Sequence, residues 1–174
     1  MTARENPAPR RTASLPSPGP RLAVSVAFLV NGFVLGSWAP QVPVLAARLG
    51  YSESALGLLI LVFGLGALTA MPLIGVAISR GGSWRPTLLT QLLLAAALPF
   101  LAFAPSTAFA VPAAFFFGMT LGGMDVAMNA NAISVEKTRA RAIMSSCHGF
   151  WSLGGFAGAA AGGPLIGALG GEYH

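Results

Sequence analysis

The stretch PTLLTQLLLAAALPFLAFAPSTAFAVPAAFFFGMTLGGM, residues 86–124, is 39 residues long and contains no charged side chain. A helix needs roughly 20 residues to cross the hydrocarbon core of a bilayer, so this stretch is long enough for two crossings. Ala-Pro-Ser-Thr at residues 104–107 lies near its middle and predicts a turn. The stretch therefore indicates two transmembrane helices joined by a short connection.

Three further uncharged runs cover residues 22–47, 54–79 and 142–171. The last contains nine glycines, so we expect it to insert less favourably than the leucine-rich runs. The sequence predicts an all-α integral membrane fold of five transmembrane helices, a bundle over residues 22–171 with spans at about 22–47, 54–79, 86–104, 108–134 and 142–171. Residues 1–21 hold five prolines and four arginines, which predicts a disordered basic tail.

Composition and charge support a membrane protein and argue against nucleic-acid binding. The chain is 55% hydrophobic and 9% charged, whereas soluble domains carry about a quarter charged residues. Nine of its ten Lys and Arg residues lie in the tail and in the loops at 80–85 and 137–141, and Arg48 lies on the opposite side. Because basic residues favour the cytoplasm, we expect a multi-pass protein of the bacterial inner membrane with a cytoplasmic N-terminus.

Asp125 is the only acid placed inside an apolar run, and an ionisable group at that depth is costly unless it faces a cavity or a partner. The spacing of three and four residues predicts that it shares one helix face with Gly118, Gly122 and Asn129. One interpretation is that Asp125 binds protons or solute. The other is that it pairs with Lys137 or Arg141 and only holds helices together.

The first span carries a polar and aromatic stripe formed by Asn31, Trp38 and Gln41, which fall within roughly 80° of one another on a helix. An indole can stack on a sugar while amide and carboxylate groups bind its hydroxyls, so the stripe predicts a site for a neutral polyol opposite Asp125. The alternative is an interfacial Trp, with amides that satisfy the backbone near Pro40 and Pro43.

The fifth span presents Ser145, His148 and Ser152 on one face, where His148 either relays protons or is hydrogen-bonded to a neighbouring span. Two glycine series predict close approach of another helix: Gly154, Gly158 and Gly162, and in parallel Gly163, Gly167 and Gly171. We expect their partner to be absent from the chain, which would leave the isolated chain unstable.

An intramembrane hydrolase that uses Ser145 or Ser146 with His148 is the enzymatic alternative. It also needs an oriented base and an oxyanion site, which the sequence does not offer. We therefore expect no enzyme activity, no cofactor and no metal.

Several strings resemble the major facilitator superfamily. GVAISRGGSWR at residues 75–85 is similar to its signature loop between the second and third helices, where the resemblance assigns a cytoplasmic gating role to Gly75, Ser79, Arg80, Gly82 and Arg85. Ser79 stands where the family has an aspartate. GGMDVAMNA at 122–130 and MSSCHGFWSLGG at 144–155 resemble the fucose-permease-like branch, in which an acid followed four residues later by asparagine is implicated in proton coupling. Ala39 stands where the sugar symporter has a further acid, so fucose itself is not the expected substrate.

The resemblance implies a secondary transporter of twelve helices in two halves, with substrate bound near the midplane. Five spans would be an incomplete N-terminal six-helix half, inactive alone and lacking its C-terminal half. The expected partners are the lipid bilayer, a small solute and protons. The alternative is a complete, self-assembling five-span membrane protein of other function.

Overall fold

A computed structural model describes residues 19–139 and 141–169. Most of the predicted tail lies outside these residues. The described chain folds into six helices: α1 (Gly19–Trp38), α2 (Gln41–Leu49), α3 (Glu53–Gly81), α4 (Trp84–Ala102), α5 (Thr107–Arg139) and α6 (Met144–Leu169). The predicted all-α membrane fold is confirmed.

The first predicted span is broken into α1 and α2 at Ala39 and Pro40. Pro40 and Pro43 have no backbone N–H, so a continuous helix would leave carbonyl groups of the preceding turn without partners. The proline-containing helices α3, α4, α5 and α6 continue through Pro72, Pro99, Pro112 and Pro164. Two closely spaced prolines thus break the helix where single prolines do not.

Within the described residues, four segments are long and apolar enough to cross a membrane: 19–49, 53–81, 84–102 and 107–139. Helix α6 is not among them, although it is 26 residues long and carries no charged side chain. Its length and its lack of charge agree with the fifth predicted span.

Polar groups close several helix ends. Gly50 ends α2 in the left-handed region at φ 65°, which costs glycine little, and Ser52 Oγ then caps α3 by accepting from the N–H of Ala55 at 3.2 Å. At the far end of α4, Arg48 donates to the carbonyl oxygens of Ala102 and Ala104 at 2.6 and 3.1 Å. A cation at a helix C-terminus also opposes the negative end of the helix dipole.

Helix α6 packs along α1 at backbone contact. A Cβ at Gly154 would overlap the carbonyl oxygen of Leu29, and one at Gly158 that of Phe33. From the α1 side, a Cβ at Gly32 would overlap the carbonyl oxygen of Trp151. The expectation that the first glycine series of α6 lacks a partner in this chain is therefore wrong, because α1 is that partner.

Helices α3 and α5 form the second close pair. A Cβ at Gly118 of α5 would overlap the carbonyl oxygen of Phe63, and one at Gly122 would lie 2.7 Å from Cα of Ala67. Helix α4 packs on the other side of α5 and places Leu94 and Leu101 in the core beside Phe117. Helix α5 packs against both α3 and α4 and is thus the central element. Helix α3, in contrast, buries only three residues, Leu59, Gly66 and Ala70.

The outer face of α3 exposes large apolar side chains, including Leu58, Leu61, Leu65 and Leu68. Contiguous apolar patches of this kind are rare on soluble monomers. In a bilayer they contact lipid chains at no such cost, which agrees with the membrane assignment.

Candidate functional site

A cavity of about 230 Å³ opens between α1, α3, α5 and α6. Its polar lining is formed by Asn31, Asp125 and the indole of Trp151, one from each of three helices. Apolar residues and one glycine complete the wall: Leu35, Phe63, Ala67, Met71, Leu121 and Gly122. The structure therefore brings together two of the residues that the sequence suggested for solute binding.

Asp125 is exposed along this cavity and interacts with Asn129 one turn further along α5. The amide Nδ2 of Asn129 donates to Oδ1 of Asp125 at 3.1 Å and to its backbone oxygen at 2.8 Å. Because each carboxylate oxygen has two lone pairs and the bond from Asn129 uses only one of them, both oxygens of Asp125 can still accept from a molecule in the cavity.

The alternative pairing of Asp125 with Lys137 or Arg141 is not formed within the described part of the chain. Lys137 lies twelve residues further along the same helix, which is a rise of roughly 18 Å. None of the described residues that line the cavity is basic. Asp125 therefore faces the cavity without a fixed cation among the residues that the structure describes.

Asn31 is 2% exposed and accepts a hydrogen bond at its Oδ1 from Nε1 of Trp151 at 2.8 Å. This bond connects α1 to α6 where Gly32 allows the two backbones to touch. The Nδ2 group of Asn31 is buried and has no hydrogen-bond partner among the described residues.

The other two members of the predicted stripe lie elsewhere. Trp38 packs edge to face on Phe117, with ring centroids 5.7 Å apart, and lines an apolar chamber of about 470 Å³. Gln41 begins α2 beyond the proline break and lines neither cavity. The break at Pro40 ends the helical periodicity on which the stripe was built, so the structure does not bring these two residues to the cavity of Asp125.

His148 and Ser152 also lie outside the cavity. The imidazole of His148 packs edge to face on Phe28 at 5.3 Å, and its side chain makes no hydrogen bond within the described chain. Ser152 Oγ donates to the backbone oxygen of His148 at 3.1 Å. The expected hydrogen bond from His148 to a neighbouring span is absent, and no described contact connects it with Asp125.

The five residues of the predicted gating loop lie on the last turns of α3, in the α3–α4 connection and at the start of α4. Gly82 ends α3 at φ 79°, and Ser79 Oγ donates to the backbone oxygen of Val76 at 2.8 Å. Arg85 lines a groove of about 320 Å³ together with Gly82. Gly75 and Arg80 are exposed. A gating role for this turn stays a prediction.

Trp151 is the cavity residue that sequence reasoning missed. It lies inside the string MSSCHGFWSLGG but was not selected as a site residue. The available signal was an aromatic donor in a glycine-rich helix, because an indole N–H in an apolar bundle requires an acceptor. The sequence offers no indication that this acceptor is Asn31, 120 residues earlier.

Comparison with known proteins agrees with the helical membrane fold. A profile of the Major Facilitator Superfamily matches residues 24–174. An uncharacterized MFS-type transporter of Yersinia pestis is 40% identical over 139 residues, which cover 80% of this chain and 36% of that protein. An uncharacterized transporter of Sinorhizobium fredii is 38% identical over 143 residues, which cover 82% of this chain and 38% of that protein.

The membrane protein MosC of Rhizobium meliloti is 34% identical over 145 residues, which cover 82% of this chain and 36% of that protein. No solved structure matches. The chain thus spans a little over a third of the length of these relatives. A multi-pass helical bundle, a profile match over most of the chain and three bacterial relatives agree, and the chain belongs to the major facilitator superfamily.

Proposed function

We propose that this chain supplies solute-binding and proton-binding residues to a secondary transporter that moves a small solute across the bacterial inner membrane. The observation that carries this proposal is the cavity of Asp125, whose described wall has an acid, a buried amide and no fixed cation. An acid in that position can be neutralised by a proton or can bind a polar group of the solute. Both uses couple solute binding to the charge on Asp125.

The proposal includes proton coupling through Asp125 and Asn129 and a sugar-like solute, as in the fucose-permease-like branch. The support is the hydrogen bond between the two side chains and a cavity whose lining includes an indole, an amide and a carboxylate. We assign no catalytic role to the serine and histidine side chains of α6.

The test is transport by a chimaera that joins residues 1–174 to the remaining two thirds of the Yersinia pestis relative. Asp125→Asn is expected to abolish proton-driven accumulation while solute exchange, which needs no net proton movement, continues. Glu53→Gln is the matched control, since Glu53 is an exposed acid at the start of α3. Equal loss of accumulation and exchange would refute proton coupling through Asp125.

The proposed orientation places the N-terminus and the 137–141 loop in the cytoplasm and Tyr51 in the periplasm. Reporters fused at residue 2, within that loop and at Tyr51 test this arrangement. A cytoplasmic signal at Tyr51 would contradict it.

The self-assembling alternative was based on an unoccupied glycine face of the fifth span. Its first series, Gly154, Gly158 and Gly162, contacts α1 and Pro40 within the chain. Self-assembly through α6 would therefore have to use Gly163 and Gly167, which have no neighbour within 4 Å in the described structure. A discrete oligomer that Gly167→Leu disrupts would favour this alternative.

A further inference from the structure

A groove of about 320 Å³ opens between the end of α3 and the start of α4. Helices α3 and α4 both pack on α5 and make few contacts with each other, so the space between them is not filled. The groove is lined by Ile74, Ala77 and Gly81 of α3, by Gly82, and by Arg85, Pro86 and Leu89 of α4. The side chains of Ala77 and Leu89 are exposed, so molecules around the bundle can enter the groove.

The groove has a cationic end and an apolar end. Arg85 lies with Gly81 and Gly82 where the chain turns from α3 into α4. Ile74 precedes Gly81 by two turns of the same helix, so the groove extends roughly 10 Å from this turn along α3. Its deeper part is lined by hydrocarbon side chains. This order matches that of a phospholipid, in which a charged phosphate precedes apolar acyl chains.

Trp84 indicates the depth of this turn in the membrane. Its side chain is 60% exposed at the start of α4. Tryptophan is enriched where the hydrocarbon core meets the head groups, because its ring is apolar and its N–H is polar. Arg85 is the next residue along the chain, so its guanidinium group lies at the level of the lipid phosphates.

The charges at this end of the bundle favour an anionic lipid. Helices α1, α4 and α6 begin here, and α3 and α5 end here. The described residues at this end include one acid, Glu136, and six basic residues: Arg21, Arg80, Arg85, Lys137, Arg139 and Arg141. Glu136 accepts from the backbone N–H groups of Ile143 and Met144 at 2.9 and 3.2 Å and does not line the groove. Arg80 and Arg85 have no hydrogen bond or ion pair within the described chain, so their guanidinium groups remain available to an anion.

We propose that the α3–α4 groove binds an anionic phospholipid such as phosphatidylglycerol, with its phosphate at Arg85 and an acyl chain along Ile74, Ala77 and Leu89. A basic residue near an anionic lipid surface contributes about fivefold in affinity. A zwitterionic lipid fits the same apolar walls but carries a cation of its own, so it lacks this gain. The site is separate from the cavity of Asp125, and the inference does not depend on the proposed transport function.

The test is native mass spectrometry of the full chain, which counts the lipid molecules that remain bound after release from a mild detergent. Phosphatidylglycerol and phosphatidylcholine with identical acyl chains are the two probes. The first molecule of phosphatidylglycerol is expected to bind about fivefold more tightly than phosphatidylcholine. Glycerol 3-phosphate, an anion without acyl chains, is expected not to displace it.

Two variants separate the head group from the acyl chain. Arg85→Gln should remove most of the preference for phosphatidylglycerol and leave the affinity for phosphatidylcholine unchanged. Arg141→Gln is its matched control, since Arg141 is exposed at the same end of the bundle and does not line the groove. Ala77→Phe should weaken the binding of both lipids severalfold, because its ring fills the apolar part of the groove. Ala96→Phe is the matched control, since Ala96 is exposed on α4 outside the groove.

All four substituted side chains are exposed, so the variants are expected to fold, and circular dichroism checks their helix content. Equal affinities for the two lipids, or an unchanged preference in Arg85→Gln, would overturn the inference. Displacement by glycerol 3-phosphate would also overturn it, because the groove would then bind a free anion.

The chimaera with the Yersinia pestis relative tests a different occupant, a helix from the remainder of the transporter. A lipid site predicts that Ala77→Phe weakens phosphatidylglycerol binding in the chimaera as it does in the short chain. A loss of this effect in the chimaera would show that protein covers the groove and that the lipid assignment is wrong.

Discussion

Helix α6 carries two glycine series that are equivalent in composition and different in surroundings. At Gly154 and Gly158 an added Cβ would overlap carbonyl oxygens of α1, whereas at Gly163 and Gly167 it would meet nothing within 4 Å. Both series have the four-residue spacing that allows close helix contact. The comparison teaches that the spacing identifies a face able to pack closely, and that the partner decides whether it does.

The partner of the first series contributes small residues of its own. Gly32 and Gly36 lie on α1, where a Cβ would overlap the backbone of Trp151 and Gly155. Close contact of two helices needs small residues on both sides, since dispersion contacts between backbones decay steeply with distance. The second series has no such counterpart in the described residues.

The largest effect is expected for Gly158→Leu, whose side chain would collide with the backbone of Phe33 and Ser37. We expect a loss of about 3 kcal/mol or more in the free energy of unfolding, measured in mixed micelles with increasing dodecyl sulfate. Gly167→Leu is the control and should change this value by no more than about 0.5 kcal/mol. Equal losses of unfolding free energy at both positions would show that the two glycine series do not differ in their packing.

The α3–α5 pair also contains one glycine in close contact and one in open space, and here the added side chain is only a methyl group. Gly118→Ala should lower the free energy of unfolding by about 1–3 kcal/mol, because its methyl group would overlap the carbonyl oxygen of Phe63. Gly64→Ala on α3 meets nothing within 4 Å and should be neutral or stabilising by up to about 1 kcal/mol. A stabilising Gly118→Ala would contradict the close contact.

Arginines at two helix ends extend the comparison to charged residues. Arg48→Met removes two hydrogen bonds to the end of α4, and we expect a loss of about 1 kcal/mol, since the side chain is exposed. Arg80→Met should cost less than about 0.5 kcal/mol, because Arg80 has no hydrogen bond or ion pair within the described chain. The same unfolding assay measures both, and a reversed order would refute the capping role.

The smallest effect is expected from two serines at the start of α3. Ser52→Ala removes the cap on the N–H of Ala55 and should cost about 0.5 kcal/mol, the low end for an exposed cap. Ser54→Ala removes no hydrogen bond found in the described structure and should be neutral or slightly stabilising. The hydrogen-exchange rate of the backbone amides in the first turn of α3 measures this effect locally. It should rise in Ser52→Ala and stay unchanged in Ser54→Ala.

Much of the local structure could be predicted from the sequence because it depends on neighbours in the chain. Uncharged runs predicted the apolar helices, and Ala-Pro-Ser-Thr at 104–107 predicted the connection between α4 and α5. The spacing of four between Asp125 and Asn129 predicted two side chains on one face, and they are hydrogen-bonded. Each of these features is set by the rise and rotation of a single helix.

Only the tertiary structure decided which faces meet. The approach of Trp151 to Asn31, the separation of Trp38 from Asp125 and the seating of α6 on α1 all depend on the rotation of one helix against another. In a bilayer this rotation is set by backbone packing and interhelical hydrogen bonds, because lipid chains are as apolar as the helices and provide no hydrophobic force between them. The sequence determined which faces could pack closely, and the long-range fit between α1 and α6 determined which of them did.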